Sequence, residues 1–237
     1  MAEGITLTNA IVFSFIGGLV PALLWLFFWL KEDKIHPEPN AVITLAFFAG
    51  MASVLIALPL ELITSKYIPA GLVRIAVWAL IEELVKYWAA SYSAFKHNVS
   101  FDEPVDSMIY LITAALGFSA AENAFFIFGA IQDFPATVTI ISGSMRFIGA
   151  SLLHVLSSAT VGIFMAYSFY RSKYVKDEHL IFGILVAAAL HTAFNFFILL
   201  FENQNIAMYS LSVFGFVWLG ILAVIFFFEK VKADVRN

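Results

Sequence analysis

The sequence predicts a polytopic bundle of membrane-spanning α-helices, and three observations carry that prediction. Of 237 residues, 62% are hydrophobic and 13% charged; mean hydropathy is +0.91; and the apolar residues gather in runs of about 20, enough to cross a hydrocarbon core of roughly 30 Å. No water-soluble core of this length requires such a balance. Runs of this length are helices, because a barrel strand needs only about half as many residues to span.

The runs fall at residues 9–30, 40–62, 70–95, 104–131, 144–171, 180–201 and 206–229, which makes seven helices. Ahead of the first, Met1-Ala2-Glu3-Gly4 lacks the basic region of a signal peptide, and the run is too long for a cleaved segment, so this helix is expected in the mature protein. The charged, proline-containing stretch from Lys31 to Pro39 separates the first helix from the second. Ser65-Lys66 closes the second and Lys96-His97-Asn98 the third. Asp102-Glu103-Pro104 opens the fourth, with Asp102 as cap and proline in the first turn. Gln132-Asp133-Phe134-Pro135 ends it, Lys173 to Asp177 follows the fifth, and Glu202 to Asn205 divides the sixth from the seventh. Connections this short leave no room for a soluble unit, so residues 1–237 read as a single transmembrane domain.

Basic residues fix a direction. Lys31, Lys34, Lys96, Arg171, Lys173, Lys176, Lys230, Lys232 and Arg236 fall on one side, against Lys66, Arg74 and Arg146 on the other. The positive-inside rule then puts the N-terminus outside and the C-terminus in the cytoplasm, as an odd number of spans requires. Trp25, Trp29, Trp88, Tyr92, Tyr170 and Tyr174 lie near the cytoplasmic helix ends as an interfacial belt. With no cysteine, the chain has no disulfide, no Cys-ligated zinc and no thiol nucleophile, so a metal would need His and carboxylate ligands. The net charge of -4, without a basic run, gives no support for nucleic acid or polybasic lipid recognition.

Ionisable groups inside these runs are costly and mark a site. They are Glu82-Glu83 with Lys86 on the third helix, Glu122-Asn123 on the fourth, His154 on the fifth, and His191 with Asn195 on the sixth. Counted from the outer helix ends at about 1.5 Å per residue, Glu82 lies about 12 residues in and Glu122, His154 and His191 about 10, a shared depth of roughly 15–18 Å. Faces agree as well. Glu82 and Lys86, Phe118 and Glu122, His154 and Ser158, and His191 and Asn195 are each four residues apart. Ser151, His154, Ser158 and Gly162 form a small, polar stripe on the fifth helix.

Taken singly, each has a plainer role: Glu82 and Lys86 as a self-neutralising ion pair, His154 or His191 as a structural hydrogen-bond partner, Asn195 as helix glue. Glu122 resists such a reading, because its helix offers no basic partner nearby. Together they suit hydrolysis of an amide, which needs an activated water, an oxyanion stabiliser and a proton donor. Glu82 or Glu83 could be the base. A two-His, one-carboxylate metal site built from His154, His191 and Glu122, or with Glu82 or Glu83 as the carboxylate, is the zinc version of the same chemistry. The zinc-protease pattern His-Glu-x-x-His is absent, so that version rests on ligand types, and the metal-free glutamate version is preferred.

At these residues the sequence resembles the PrsW family of intramembrane proteases. The match runs through Glu82-Glu83-Leu84-Val85-Lys86 (EExxK), Phe118-Ser119-Ala120-Ala121-Glu122-Asn123 (FxxxEN), His154, and His191-Thr192-Ala193-Phe194-Asn195 (HxxxN), and the Lys31 to Pro39 loop resembles the segment after that family's first helix. More distantly the chain is similar to the CPBP superfamily of CAAX prenyl endopeptidases, with pattern EExxxR, FxxxH and HxxxN. Here Lys86 stands one position short of the arginine and Glu122 stands where histidine would be, which argues against CAAX specificity. The resemblance implies a water activated at Glu82 or Glu83, helped by Glu122 and His154, with His191 and Asn195 stabilising the oxyanion and Lys86, Asn123 and Ser158 in support. It also implies a prokaryotic plasma membrane and a single-pass membrane protein as substrate, such as an anti-sigma factor, cut near the outer leaflet; the family's description as metalloproteases keeps zinc open. A non-catalytic scaffold, like the distantly similar subunit of gamma-secretase, is the alternative. An ion-coupled transporter fits less well, since the sequence has no inverted repeat.

Overall fold

A computed structural model of the chain describes the backbone of residues 6–32, 37–96, 98–133, 136–201 and 206–235, and side chains within these ranges except at 32, 133–148, 200–214 and 234–235. Among the described residues every long element is helical: α1 Leu7–Glu32, α2 Asn40–Tyr67, α3 Leu72–Ala90, α4 Pro104–Asp133, α5 Ala136–Tyr167, α6 Lys173–Phe201 and α7 Ile206–Val235. A π-helical turn, Ser91–Phe95, extends α3. Five of these helices carry apolar windows long enough to cross a membrane among the described residues, so the chain is a multi-pass membrane protein. The third does not, for a reason that matters: α3 holds Arg74, Glu82, Glu83 and Lys86 within 19 residues.

The element count agrees with the sequence, but some ends differ. Instead of 144–171, α5 runs from 136 to 167, and α6 starts at 173, inside the cluster expected to be a loop. The added part of α5, residues 136–143, is itself apolar though broken by Thr137, Thr139 and Ser142, whereas at α6 helical hydrogen bonding continues into polar sequence, which hydropathy cannot see. The N-terminus of α4 differs in its capping. Pro104 is the first helical residue, but Asp102 does not cap it; Asp106 reaches back, its Oδ2 accepting from the backbone N–H of Glu103 (2.7 Å) and of Asp102 (2.9 Å). Asp33 to His36, His97, Phe134-Pro135, Glu202 to Asn205 and Arg236 lie outside the described residues, as does the Arg146 side chain.

The two central helices are α4 and α5, with 72% and 83% of their apolar windows buried against 22% for α1, which therefore faces lipid over most of its surface. α1, α2 and α5 all pack on α4. Close approach of α2 to α4 depends on Gly117, where an added Cβ would lie 1.9 Å from the Phe47 carbonyl oxygen. Small residues let transmembrane backbones touch in this way. The α2–α3 turn uses Gly71 at φ 145°, a conformation closed to other residues in practice. It returns α3 antiparallel to α2, and Trp78 Nε1 donates to Thr64 Oγ1 (3.1 Å) across the pair. At the other end Tyr110 Oη donates to Glu38 and accepts from Asn98 Nδ2 (3.0 Å), tying the segment before α2 to α4.

Candidate active site

α3, α4, α5 and α6 bring their ionisable residues to one place. On α3 the neighbours Glu82 and Glu83 diverge by about 100° around the helix and so reach His191 at different ring nitrogens. Glu83 is fully buried: its Oε1 accepts from Lys86 Nζ (2.6 Å) and from His191 Nδ1 (2.8 Å), and its Oε2 lies 3.5 Å from Ser158 Oγ. The self-neutralising pair on α3 is thus Glu83–Lys86, three residues apart, and not Glu82–Lys86. Lys86 is also fully buried, lies 3.1 Å from His154 Nδ1, and sits 5.4 Å from the centre of the Phe118 ring. On its far edge His154 Nε2 meets Glu122 Oε2 at 3.1 Å.

These contacts fix both imidazole tautomers. A lysine ammonium can only donate and a carboxylate accepts, so His154 carries its proton on Nε2 towards Glu122, and His191 carries its proton on Nδ1 towards Glu83. The opposite nitrogen of His191 presents its lone pair to Glu82, while that of His154 accepts from Lys86. Glu82 Oε2 lies 3.7 Å from His191 Nε2 and 3.9 Å from His154 Nδ1, is buried, and has no hydrogen-bond partner among the described residues. The two rings stand edge to face, 5.3 Å apart. An orphaned carboxylate oxygen facing a free imidazole nitrogen calls for a donor or a cation.

Below this centre Asn123 Nδ2 donates to Ser119 Oγ (3.2 Å) and Ser151 Oγ (3.1 Å), and Ser119 Oγ donates to Ser151 Oγ (3.0 Å), all buried. This knot sets the α4–α5 register one residue from Glu122 and three from His154. Its asparagine was picked out in the sequence, but its Ser119 was not. Asn195 lies one turn beyond His191 on α6, half-buried, with no side-chain hydrogen bond to the described residues.

Equal depth counted from helix ends does not hold. His154 lies 18 residues from the start of α5, whereas Glu122 lies 11 from the end of α4, yet the two side chains touch. α5 simply runs further. Sequence reasoning also missed Glu61 on α2, which the α2–α3 register places one turn inside the Thr64–Trp78 bond, opposite Glu82. Its signal was available, an acid near the end of an apolar run, but it lay where the segment was expected to leave the membrane.

Buried carboxylates and imidazoles converging from four helices of a polytopic bundle define a membrane protein with a hydrolase-like centre. The chain belongs to the PrsW family of intramembrane metalloproteases, whose profile matches residues 38–227. It is similar to Protease PrsW of Clostridioides difficile, 27% identical over 193 residues covering 78% of this chain and 79% of the relative. It is likewise similar to Protease PrsW of Geobacillus kaustophilus (25% identical; 83% and 85% covered) and of Bacillus subtilis (23%; 86% and 90%). No solved structure matches the chain.

The family's description implies a metal, and the side chains fit one. Glu82, His154 and His191 each turn one ligand atom into a group spanning no more than 4.8 Å. Ligands about 2.1 Å from one tetrahedral ion lie roughly 3.4 Å apart, so the three atoms would have to draw together from their present spacing. The outer nitrogen of each histidine is held by a carboxylate, Glu83 or Glu122, as in carboxylate–histidine–metal arrangements. Of the three carboxylates open to the sequence reading, the ligand set takes Glu82, while Glu122 meets His154 from the opposite ring edge. Lys86, which donates to His154 Nδ1, would have to release it for the set to close.

Proposed function

We propose that the protein is an endopeptidase that cuts a membrane-anchored protein within the bilayer, with water activated between Glu82, His154 and His191. The observation that carries this reading is the Glu82 oxygen, buried and unpartnered among the described residues, facing the free nitrogen of His191. These three residues would hold a zinc ion, which when bound supplies a Lewis acid and makes its water a nucleophile near neutral pH.

The remaining work falls to the chain. Glu83 fixes the tautomer of His191, with its charge balanced by Lys86. Glu122 has 27% of its side chain exposed while its partner His154 has 2%, so it is the boundary between the buried centre and its surroundings. That position suits a proton carrier, taking a proton from the attacking water and returning it to the leaving amine. Asn195, a turn along from His191, is suited to donate to the developing oxyanion.

Charge distribution supports an N-terminus outside, seven crossings and a site nearer the outer leaflet. The resemblance supports a single-pass substrate of the anti-sigma-factor kind. One observation favours a second reading: Lys86 donates to His154 Nδ1, the lone pair an ion would need, and in a metal-free site Glu82 would itself take the proton from water.

The test is co-expression of wild type or Glu82→Gln with epitope-tagged single-pass proteins, followed by immunoblotting and metal analysis of the purified enzyme. Truncated product from wild type alone supports proteolysis. About one zinc per chain, lost in Glu82→Gln, supports the metal version, whereas cleavage that survives complete zinc removal supports the glutamate version. Product formed equally by Glu82→Gln would overturn the assignment.

A further inference from the structure

The antiparallel packing of α2 on α3 has a readable register. Trp78 bonds Thr64, and two turns deeper Ala57 and Val85 share one buried apolar cluster with Val54, Phe118 and Ala121. Position 61 lies between these two rungs on α2, as position 82 does on α3. Glu61 is therefore held opposite Glu82, one turn inside the Thr64–Trp78 bond. On α4, Glu122 follows Ala121 of the same apolar cluster and is partly exposed. Carboxylates from three helices thus gather at one side of this apolar cluster. The Glu61 side chain itself is half-buried and forms no side-chain hydrogen bond among the described residues, although its carbonyl accepts from Thr64 and Ser65.

A hydrolytic centre in a bilayer needs water, and a carboxylate held at this depth needs hydration or a cation. The floor of Val54, Ala57, Val85, Phe118 and Ala121 blocks passage towards the start of α2, so water must come from the end at Tyr67. We propose that Glu61 lines the water inlet of the site, between α2, α3 and α4, and opens it towards the membrane surface at the C-terminal end of α2. This rests on the hydrolytic reading for its purpose but not for its test.

Because the natural chain has no cysteine, single cysteines report water directly: a thiol reacts with a charged, membrane-impermeant reagent only where it ionises in water. Tyr67→Cys, at a position 81% exposed at the end of α2, identifies the side on which the reagent works. Leu62→Cys is the decisive control, since Leu62 neighbours Glu61 at the same depth and is 67% exposed, but to lipid. The expected result is that Glu61→Cys reacts at least about ten times faster than Leu62→Cys, because an ionised thiol in hydrocarbon is strongly disfavoured. Glu122→Cys serves as a second reporter if the first variant folds poorly, and adding Glu61→Leu should slow its labelling several-fold. Equal rates for Glu61→Cys and Leu62→Cys, with Tyr67→Cys reactive, overturn the proposal, as does labelling of Glu122→Cys unmoved by Glu61→Leu. Failed proteolysis leaves the labelling result standing, and an unreactive Glu61→Cys leaves the hydrolytic reading standing.

Discussion

Replacing Lys86 by methionine tests the electrostatic design most directly. Lys86 and Glu83 are both fully buried, 2.6 Å apart. At an effective dielectric of about 20, two charges at that separation attract by roughly 6 kcal/mol, most of which offsets the cost of burying them. Lys86→Met removes the attraction but leaves the cost. Glu83 then keeps only His191 Nδ1–H and the long contact from Ser158, and the expected loss is about 3–5 kcal/mol, a large part of a typical total of about 5–15. Adding Glu83→Gln removes the stranded charge, and the amide oxygen it introduces can still accept from His191, so the double variant should return to within about 1–2 kcal/mol of wild type. Unfolding in detergent, followed by tryptophan fluorescence, gives the four corners of the cycle. If Lys86→Met is as stable as wild type, or if the two losses simply add, the charges are not paired in a dry environment and the site has been misread.

Three other outcomes are expected. Glu122→Gln should lower cleavage by about 10²–10⁴-fold as a proton carrier is lost, with zinc content unchanged, because Glu122 holds His154 from outside the ligand set; this is measured as product rate beside metal analysis. Asn123→Ala leaves Ser119 and Ser151 without their shared donor and should cost about 1–3 kcal/mol of stability, read from thermal unfolding. Gly117→Ala forces a Cβ against the Phe47 carbonyl and should destabilise by about 1–3 kcal/mol or more, seen as reduced accumulation in the membrane and a lowered melting temperature.

Much of the fold and most of the centre were legible because both follow from the same cost, that of placing polar groups in hydrocarbon. Glu82, Glu83, Glu122, His154 and His191 stood out for that reason, and the structure brings all five together. The cost identifies residues but not partners. Helical spacing allowed Lys86 to reach Glu82 or Glu83, at i−4 or i−3, and the choice depended on His191 arriving from α6 to share Glu83. The start of α6 was misjudged because backbone hydrogen bonds persist where apolar character stops, and the start of α5 because Thr137, Thr139 and Ser142 interrupt its apolar residues. Glu61 was passed over for the related reason that an acid near an apparent helix end looks solvated. The register set by Trp78 and Thr64, a contact between helices, reveals that it faces inward.

The doublet on α3 explains how one helix supplies both a stable core and a reactive group. Consecutive helical residues point about 100° apart, so the two adjacent glutamates approach His191 at different ring nitrogens and have otherwise different neighbours. Glu83 points into the bundle, where Lys86, His191 and Ser158 satisfy it and hold one histidine in a single tautomer. Glu82 points to the space between the two imidazoles, where no described group donates to its Oε2. The cost of that unsatisfied oxygen is tolerable because its neighbour anchors the helix. The packing around the doublet has the same asymmetry, with apolar residues closing the side towards the start of α2 and carboxylates on the other. A centre that must exclude lipid yet admit water and a peptide needs this division, with one face sealed by packing and the other held open by charge.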